Sequence, residues 1–554
     1  MWKQDFTPVA DQLALSAVVA LIPILYFFWA LAVKRMKGHI AGVTTLAVAL
    51  VIAVIAYKMP VSMAVMSATQ GAVYGLLPIG WIIITSVFLY KLTVKTGQFD
   101  TIRDSVLSIT EDRRLQALLI AFSFGAFLEG AAGFGAPVAI SAALLVGLGF
   151  NPLYAAGICL IANTAPVAFG AIGIPITAVA GPTGIPAMEI SKMVGRQLPF
   201  LSLFIPFYLV LIMAGWKKTV EVLPAVLVSG ISFALTQYAS SNFLGPELPD
   251  ILSALVSLVA LAVFLKVWKP KSVYRFESET RATFATSTKH TSGEVFKAWS
   301  PFLVLTAFIS IWGIPQVKAA LTGHYEGTNA LLKALNTLGS SLTFMPEVPG
   351  LSNKIVNASG QPILAVYKLE LLGAAGTAIL FAAIVTKFIV RISWREWFAT
   401  FGETLNELRF PIVTIASVVG FAYVTNASGM STTLGMTLAK TGSLFAFFSP
   451  FLGWLGVFIT GSDTSSNLLF GNLQKVTATS LGMDPVLAVA ANSSGGVVGK
   501  MISPQSIAVA CAAVGLAGKE SDLFRFTVKH SIFLIILIGI LTFLQSNVLS
   551  WMVP

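Results

Sequence analysis

Charged residues are scarce in this sequence, and their scarcity limits the kind of protein it can encode. Asp, Glu, Lys and Arg together make up 11% of the 554 residues, whereas hydrophobic residues make up 56%. Soluble proteins carry about 25% charged residues. The composition therefore favours an integral membrane protein with many helices, embedded in a lipid bilayer, over a soluble protein with buried core helices.

Cysteine and histidine are nearly absent too. The two cysteines, Cys159 and Cys511, lie far apart in apolar segments, which argues against a disulfide framework or a zinc site. The four histidines fall in loops or at predicted helix ends. We therefore expect no metal site and no cofactor. The net charge of +11 comes from loops, where Lys and Arg set membrane orientation, and we do not expect a nucleic-acid partner.

Apolar runs of ~20 residues mark spanning helices, and basic loops mark the cytoplasmic side. Asp5 and Asp11 precede the first run, so we expect no cleavable signal. The pattern predicts twelve spans with both termini outside. The predicted spans are residues 12–33, 39–57, 71–90, 152–181, 199–215, 223–239, 251–265, 301–315, 371–389, 411–426, 485–516 and 531–553.

Two further apolar segments are interrupted by polar residues and glycines. Residues 115–149 are cut at FLEGAAGFGAP, residues 127–137, and residues 443–481 are cut at FITGSDTSSN, residues 458–467. A chain breaks its helix at membrane depth only where the backbone lines a polar cavity or is buried in protein. We predict two re-entrant hairpins, the first entering from the cytoplasm and the second from outside.

Each hairpin is followed by a span that is itself predicted to be broken, at residues 162–175 and 491–504. The two halves align at Phe127 and Phe458, Gly130 and Gly461, Asn151-Pro152 and Asp484-Pro485, Asn163 and Asn492, Gly170 and Gly499, and Pro175 and Pro504. Lys91, Lys95, Arg103, Arg113 and Arg114 precede the first hairpin, but only Lys440 precedes the second. The repeats therefore insert with opposite orientation.

The predicted fold is an all-α polytopic membrane protein with about twelve transmembrane helices and two re-entrant hairpins in an inverted repeat. Residues 1–240 form the first repeat with the N-terminal helices. Residues 241–370 contain linking helices, a basic cytoplasmic loop and an external loop. Residues 371–554 form the second, inverted repeat. Such repeats with paired broken helices are typical of secondary transporters, whose sites lie near the membrane midplane.

Two acids at the hairpin tips are the candidates for carrying a coupled proton. Glu129 and Asp463 each stand in an apolar segment, where a carboxylate is costly unless it is paired, protonated or facing water. The alternative for both is a structural carboxylate that bonds its own hairpin tip. Lys500 either pairs with one of these acids or with substrate, or extends toward the cytoplasm.

Small and polar residues at the breaks are the candidates for binding substrate, through freed backbone groups, hydroxyls and amides. The pairs Asn163-Thr164 and Asn492-Ser493 have capping of the half-helices as an alternative role. The predicted substrate-binding set is Gly130, Gly133, Gly135, Asn163, Thr164, Ser462, Thr464, Ser465, Ser466, Asn467, Asn492, Ser493 and Lys500.

No nucleotide site is expected. Residues 495–500 resemble the end of a phosphate-binding loop, but Ser494 stands where its first glycine belongs and Met501 replaces the Ser or Thr. Transport would then be driven by a gradient.

Several long motifs in this chain resemble the bacterial lactate permease family. They are FLEGAAGFGAPVAI, NPLYAAGICLIANTAPVAFGAIGIP, FLGWLGVFITGSDTSSN and GKMISPQSIAVACAAVGLAGKESDLFRFTVKHS, and the similarity extends over nearly the whole chain. More distantly, the chain resembles the ion-transporter superfamily, whose members move a hairpin-bearing domain against a fixed scaffold.

The resemblance implies an inner-membrane carrier, not an enzyme, that takes up L-lactate, and also D-lactate or glycolate, together with a proton. Within carriers, the alternatives are sodium coupling and other small carboxylates. An anion channel is a further alternative from another class, as is a membrane enzyme that uses the two acids.

Overall fold

The computed structural model describes residues 1–131, 133, 136–276, 290–356, 362–516 and 519–554, and most of them are helical. The α-helices up to residue 243 are α1 Leu13–Phe28, α2 Gly38–Ile55, α3 Val61–Tyr74, α4 Trp81–Lys95, α5 Gln98–Leu107, α6 Arg113–Ala117, α7 Gly125–Ala131, α8 Ala136–Gly147, α9 Pro152–Ala162, α10 Gly170–Thr183, α11 Ala187–Val194, α12 Leu198–Glu221 and α13 Leu223–Phe243.

The remaining α-helices are α14 Pro249–Val267, α15 Ser292–Gly313, α16 Pro315–Leu321, α17 Ala330–Ser341, α18 Ala375–Val390, α19 Trp394–Ser428, α20 Met430–Leu438, α21 Phe445–Thr460, α22 Asp463–Ser480, α23 Pro485–Lys500, α24 Pro504–Ala513 and α25 Glu520–Ser546. π-Helical turns cover Trp29–Val33, Gly75–Gly80 and Leu118–Phe124, and 3₁₀ turns cover Val167–Phe169, Ala439–Leu444 and Ser550–Met552. The short strands are β1 Trp2–Lys3, β2 Thr343–Phe344, β3 Ile355–Val356 and β4 Leu369–Glu370.

Twelve helices in the described part of the chain are long and apolar enough to cross a membrane. The count equals the prediction, but the membership differs. Arg113–Ala131 and Met430–Thr460, which contain predicted hairpin arms, are long enough to span, whereas the predicted span 371–389 is the 16-residue helix α18, which is shorter than a span requires. The predicted span 152–181 is a helix pair bent by 65°.

Both predicted hairpins are helix–break–helix units. In the first, α7 runs through Ala131 and α8 begins at Ala136, so Glu129 lies in the last turn of a helix, not within the break. In the second, α21 ends at Thr460 and α22 begins at Asp463. That break is two residues long, much shorter than the interruption predicted within residues 458–467, because Ser462 caps α22 immediately.

The two broken spans differ from each other. The first is interrupted as predicted: Ala171, Ile172 and Gly173 have positive φ angles between α9 and the rest of α10. The second is not broken at residue 491, because α23 continues to Lys500 and the interruption covers only residues 501–503. The prediction of a break from residue 491 was therefore wrong.

The glycines of α23 account for the wrong prediction, because they allow close helix packing and do not interrupt the helix. A Cβ at Gly495 would overlap the carbonyl oxygen of Pro450, and one at Gly499 would overlap that of Trp454. On the facing helix α21, a Cβ at Gly453 would overlap the carbonyl oxygen of Asn492. Small residues at such spacing let membrane helices approach closely. The glycine-rich sequence that suggested a break is therefore a contact surface between α21 and α23.

Contacts between loops agree with the predicted sidedness. Among predicted cytoplasmic segments, Arg114 pairs with Glu221, Lys95 with Glu403, and Arg275 with Glu111. Among predicted external ones, β1 pairs with β3 of the 316–368 loop. Arg196, a basic residue that the topology places outside against the charge rule, donates to the carbonyl oxygen of Met552 near the C-terminus and to Asn242. Each set of contacts stays on one side.

The sidedness can be tested with two cysteine variants. Lys271 and Lys333 are exposed, in a predicted cytoplasmic and a predicted external loop respectively. We expect an impermeant thiol reagent added to intact cells to label Lys333→Cys and to leave Lys271→Cys unlabelled until the membrane is opened. The native Cys159 and Cys511 are buried, so background labelling should be low. Labelling of both variants in intact cells would contradict the topology.

Candidate functional site

A cavity of about 1330 Å³ is lined by residues from both halves of the chain. Its wall includes Glu129 and Asp463, at the two hairpin tips, and Lys500 at the end of α23. It also includes Arg35, which is exposed, and Arg525, and both belong to segments predicted to be cytoplasmic. The cavity therefore opens toward the predicted cytoplasmic side in this conformation.

Glu129 and Lys500 form a buried ion pair that joins the two halves. Lys500 Nζ lies 2.8 Å from Glu129 Oε1, and the side chains are 10% and 4% exposed respectively. The other carboxylate oxygen of Glu129 accepts a hydrogen bond from Nδ2 of Asn163 at 2.9 Å. Paired and hydrogen-bonded charges are the ones that a protein interior tolerates. Lys500 thus pairs with an acid in this structure and does not extend toward solvent.

The second hairpin makes the reciprocal contact with the broken span of the first half. Asn467 on α22 donates from Nδ2 to the carbonyl oxygen of Pro175 at 3.2 Å. Two turns further along α22, Lys475 donates to the carbonyl oxygen of Thr183 at 2.6 Å. Each hairpin therefore contacts the interrupted span of the other half, and the four interrupted segments meet at one place.

Asp463 begins a network of buried polar side chains behind the cavity wall. Its Oδ2 accepts hydrogen bonds from Ser493 Oγ at 2.5 Å and from Asn467 Nδ2 at 3.3 Å. Asn492 donates to Asn467 Oδ1 at 2.9 Å and accepts from Gln474 at 3.0 Å. The network ties α22 to α23. Asp463 Oδ1 has no hydrogen-bond partner among the described residues.

Two helix N-termini face the cavity side by side. Ser462 caps α22 by accepting from the Ser465 backbone at 3.2 Å, and Ser503 caps α24 by accepting from the Ser506 backbone at 3.5 Å. A Cβ at Gly461 would lie 2.5 Å from Gln505 Oε1, so the two first turns are adjacent. Helix N-termini offer free N–H groups and partial positive charge. Together with Lys500, they give this part of the cavity the chemistry to hold an anion.

The predicted site residues divide into two groups. Glu129, Gly133, Ser462, Asp463, Thr464, Ser465 and Lys500 line the cavity. The others lie behind its wall: Asn163, Ser493, Asn467 and Asn492 make the hydrogen bonds described above, Thr164 and Ser466 donate to backbone carbonyls, and Gly130 packs against α14. Asn492 and Ser493 lie within helix α23, so they do not cap half-helices. Gly135 lies outside the described residues.

Two features of the site were missed by sequence reasoning. The predicted spans 223–239 and 251–265 leave residues 240–250 as an external loop, but Asp250 lies in the first turn of α14 and is fully buried. An acid directly before an apolar run is common at the start of a helix. No sequence pattern indicates that Gly130 packs against Asp250. The first turn of α24, including Gln505 and Ser506, lines the cavity as well. Ser503-Pro504, a capping residue followed by proline, was the available signal for that helix start.

Comparisons with known proteins agree with the motifs. The family model for L-lactate permease matches residues 16–549. An L-lactate permease of Bacillus subtilis (strain 168) is 74% identical over 561 residues, covering 100% of both chains. An L-lactate permease of Salmonella typhimurium is 54% identical over 558 residues, again covering 100% of both. Glycolate permease GlcA of Escherichia coli (strain K12) is 54% identical over 567 residues, covering 100% of this chain and 99% of that one.

A solved structure also aligns with the chain, the YdaH transporter of Alcanivorax borkumensis. The alignment covers 82% of this chain and 88% of that one, at 14% identity and a TM-score of 0.33, which is too low to indicate a shared fold. By contrast, the family model covers residues 16–549, and the permeases named above align with the chain over their full length. They show that this chain belongs to the L-lactate permease family.

Proposed function

We propose that this protein takes up L-lactate, and also D-lactate or glycolate, across the bacterial inner membrane by symport with a proton. Family membership makes it a multi-pass membrane transporter. Full-length relatives carry the names L-lactate permease and glycolate permease, which supports small 2-hydroxymonocarboxylates as the substrates. The observation that carries the proposal is the cavity in which Lys500 and two helix N-termini converge.

The substrate carboxylate binds where positive charge is available. Lys500 provides a full charge, and the first turns of α22 and α24 provide N–H groups and the hydroxyls of Ser462, Thr464 and Ser465. The substrate then competes with Glu129 for Lys500. Gly133, with a φ of +59°, allows the tight turn at the first hairpin tip. The buried asparagines and Ser493 position the two hairpins. They affect substrate binding through the residues that line the cavity.

One of the two cavity acids carries the coupled proton, and the contacts favour Glu129. When a substrate carboxylate takes its place on Lys500, Glu129 loses its cation and becomes costly to keep ionised, so it takes up a proton. Among the described residues, no cation lies at hydrogen-bond distance from Asp463, which accepts hydrogen bonds from Ser493 and Asn467. A proton on Glu129 also balances the charge of the bound anion.

Selectivity should depend on the 2-hydroxyl group. A site that hydrogen-bonds a hydroxyl leaves polar groups unpaired when an analogue lacks it, which weakens binding strongly. We expect propionate to compete with labelled lactate far less well than glycolate does, by about tenfold or more, or about 1.4 kcal/mol. Equal competition by propionate would mean that the site binds only the carboxylate.

The packing of Asp463 gives a second test. A Cβ at Gly496 would overlap Oδ1 of Asp463, so Gly496→Ala should displace this acid and lower lactate uptake about tenfold or more, which corresponds to about 1.4 kcal/mol. Gly147→Ala is the matched control, because no atom lies within 4 Å of its new methyl group. Protein levels in the membrane should be compared first. Normal uptake by a well-expressed Gly496→Ala variant would remove Asp463 from the site.

Counterflow in proteoliposomes tests the transport class directly. Vesicles preloaded with unlabelled lactate should transiently accumulate labelled lactate, in a saturable manner and without sodium. A channel gives no such overshoot, an enzyme converts the label, and a sodium-coupled carrier requires sodium to accumulate lactate. Any of those three results would replace the proposal.

A further inference from the structure

Asp250 is a buried acid that the transport scheme above leaves without a role. It lies in the first turn of α14, its side chain is 0% exposed, and neither carboxylate oxygen has a hydrogen-bond partner among the described residues. An ionised carboxylate in this situation would be shielded from bulk solvent and would have no donor among the described residues, which is among the least favourable states for a charge in a protein. The geometry therefore favours a neutral carboxyl group.

Asp250 lies directly against the residue that follows Glu129. A Cβ placed on Gly130 would come within 2.7 Å of the Asp250 Cβ, so α7 and α14 touch at this level. Glu129 comes directly before Gly130 on α7 and is paired with Lys500, so this ion pair is next to the contact with Asp250. Among the described residues that pack on α14, α10 and the 118–124 turn carry no ionisable group, and Tyr238, the one on α13, is exposed. Glu247, three residues before Asp250, is half-buried.

The charges of Lys500, Glu129 and Asp250 together indicate which of the two acids carries a proton. Lys500 contributes a charge of +1. The Glu129 carboxylate balances this charge, because it pairs with Lys500 and accepts a hydrogen bond from Asn163. A second negative charge at Asp250 would have no cation left to balance it. With a proton on Asp250, the group formed by Lys500, Glu129 and Asp250 carries no net charge.

We propose that Asp250 stores the coupled proton and passes it to Glu129 when a substrate carboxylate displaces Glu129 from Lys500. The inference rests on the proposed function above. In this step an O–H bond at Asp250 breaks and an O–H bond at Glu129 forms, in a conformation that brings the two carboxyl groups together, since neither oxygen of Asp250 has a hydrogen-bond partner among the described residues here. Asp250 is an anion only during that step. A proton from the external side restores Asp250, because the loop that precedes α14 is the predicted external one. Substrate anion, Lys500 cation and two neutral acids then form a complex without net charge.

Release of substrate and proton to the cytoplasm completes the transport cycle, and it takes place in the conformation described here. The cavity that contains Glu129 opens toward the cytoplasm, whereas Asp250 is closed off behind it. When the substrate leaves, Glu129 gives its proton to the cytoplasmic side and pairs with Lys500 again. One proton and one monocarboxylate have then crossed. Asp250 is a relay in this scheme, and it does not contact the substrate.

The test uses the full-length protein in proteoliposomes and the variant Asp250→Asn, which keeps the shape and removes the proton. We expect lactate counterflow to stay within about twofold of wild type, while lactate-driven proton uptake and accumulation against a gradient fall at least about tenfold. Glu247→Gln is the matched control, an acid three residues earlier in the preceding loop, and it should keep both activities. Proton uptake at the wild-type ratio in Asp250→Asn would overturn the proposal.

A second variant covers the case in which Asp250→Asn does not fold, and infrared spectra report the protonation of Asp250 directly. If Asp250→Asn does not fold, Asp250→Ser, which is smaller and also uncharged, replaces it with the same expectations. Infrared spectra of the reconstituted protein should contain a C=O band of a neutral carboxyl group in wild type that is missing in the folded variant, and no difference would contradict the inference. If wild type itself moves neither lactate nor protons, the proposed function fails; if wild type couples them and the Asp250 variants do too, only the relay fails.

Discussion

Replacing Lys500 by Met should abolish lactate uptake and destabilise the protein by about 3–5 kcal/mol, the usual effect of removing one partner of a buried ion pair. The variant removes the cation that lies 2.8 Å from Glu129 and leaves that carboxylate buried beside the single amide of Asn163. It also removes the only full positive charge at the deep end of the cavity among the described lining residues. Both effects are measurable on purified protein, by thermal unfolding in detergent and by uptake after reconstitution.

The double variant Lys500→Met with Glu129→Gln separates stability from function. Removing both charges should recover most of the lost stability, because an apolar or neutral pair in place of a buried ion pair is often no less stable. It should not recover uptake, since the carboxylate site is still missing. If Lys500→Met alone transported lactate at the wild-type rate, this lysine would have only a structural role. If the double variant were no more stable than the single one, the pair would not act as a unit.

Glu129→Gln should lose proton-driven lactate accumulation and keep lactate exchange. Gln resembles the protonated acid in shape and charge, so the loaded carrier can still form and return. It cannot release a proton into the cavity, so net symport stops. External alkalinisation on lactate addition and labelled exchange should be recorded on the same vesicles, and we expect the first to fall at least about tenfold, or about 1.4 kcal/mol in barrier height.

Asp463→Asn provides the comparison at the other hairpin tip. Asp463 receives Ser493 and Asn467 in a buried network, so its replacement should reduce exchange and accumulation together, or reduce protein level. If the two variants exchanged these behaviours, Asp463 would be the coupling acid. If both accumulated lactate with normal proton movement, neither acid would carry the proton.

The sequence allowed the membrane class and helix interruptions near Glu129, Asp463 and Lys500 to be predicted. These features depend on local signals: apolar length, Gly and Pro at break positions, and charges where charges are costly. The aligned caps of the two repeats are local as well, since Asn151 and Asp484 each accept from the second residue of the following helix. The division at residues 240 and 370 stays a prediction, as do re-entrant insertion and the roles of the individual site residues.

The features that were missed depend on tertiary packing. Glycines in α23 could line a break or a helix contact, and only their overlap with Pro450 and Trp454 decides for contact. Asp250 is 121 positions from Glu129 in the sequence, and no pattern connects the two. Its assignment to an external loop was reasonable from its neighbours, Pro249 and Glu247, and was wrong because α7 comes close enough at Gly130 to bury it.

Proton movement driven by lactate alone tests the central claim most directly. Proteoliposomes that contain the wild-type protein, with equal pH on both sides and no sodium, receive an inward lactate gradient while external pH is recorded. Protein-free liposomes correct for lactic acid that crosses the bilayer unaided. The account predicts external alkalinisation with about one proton taken up per lactate, which disappears in Glu129→Gln. Lactate entry without a pH change, or entry that requires sodium, would contradict it.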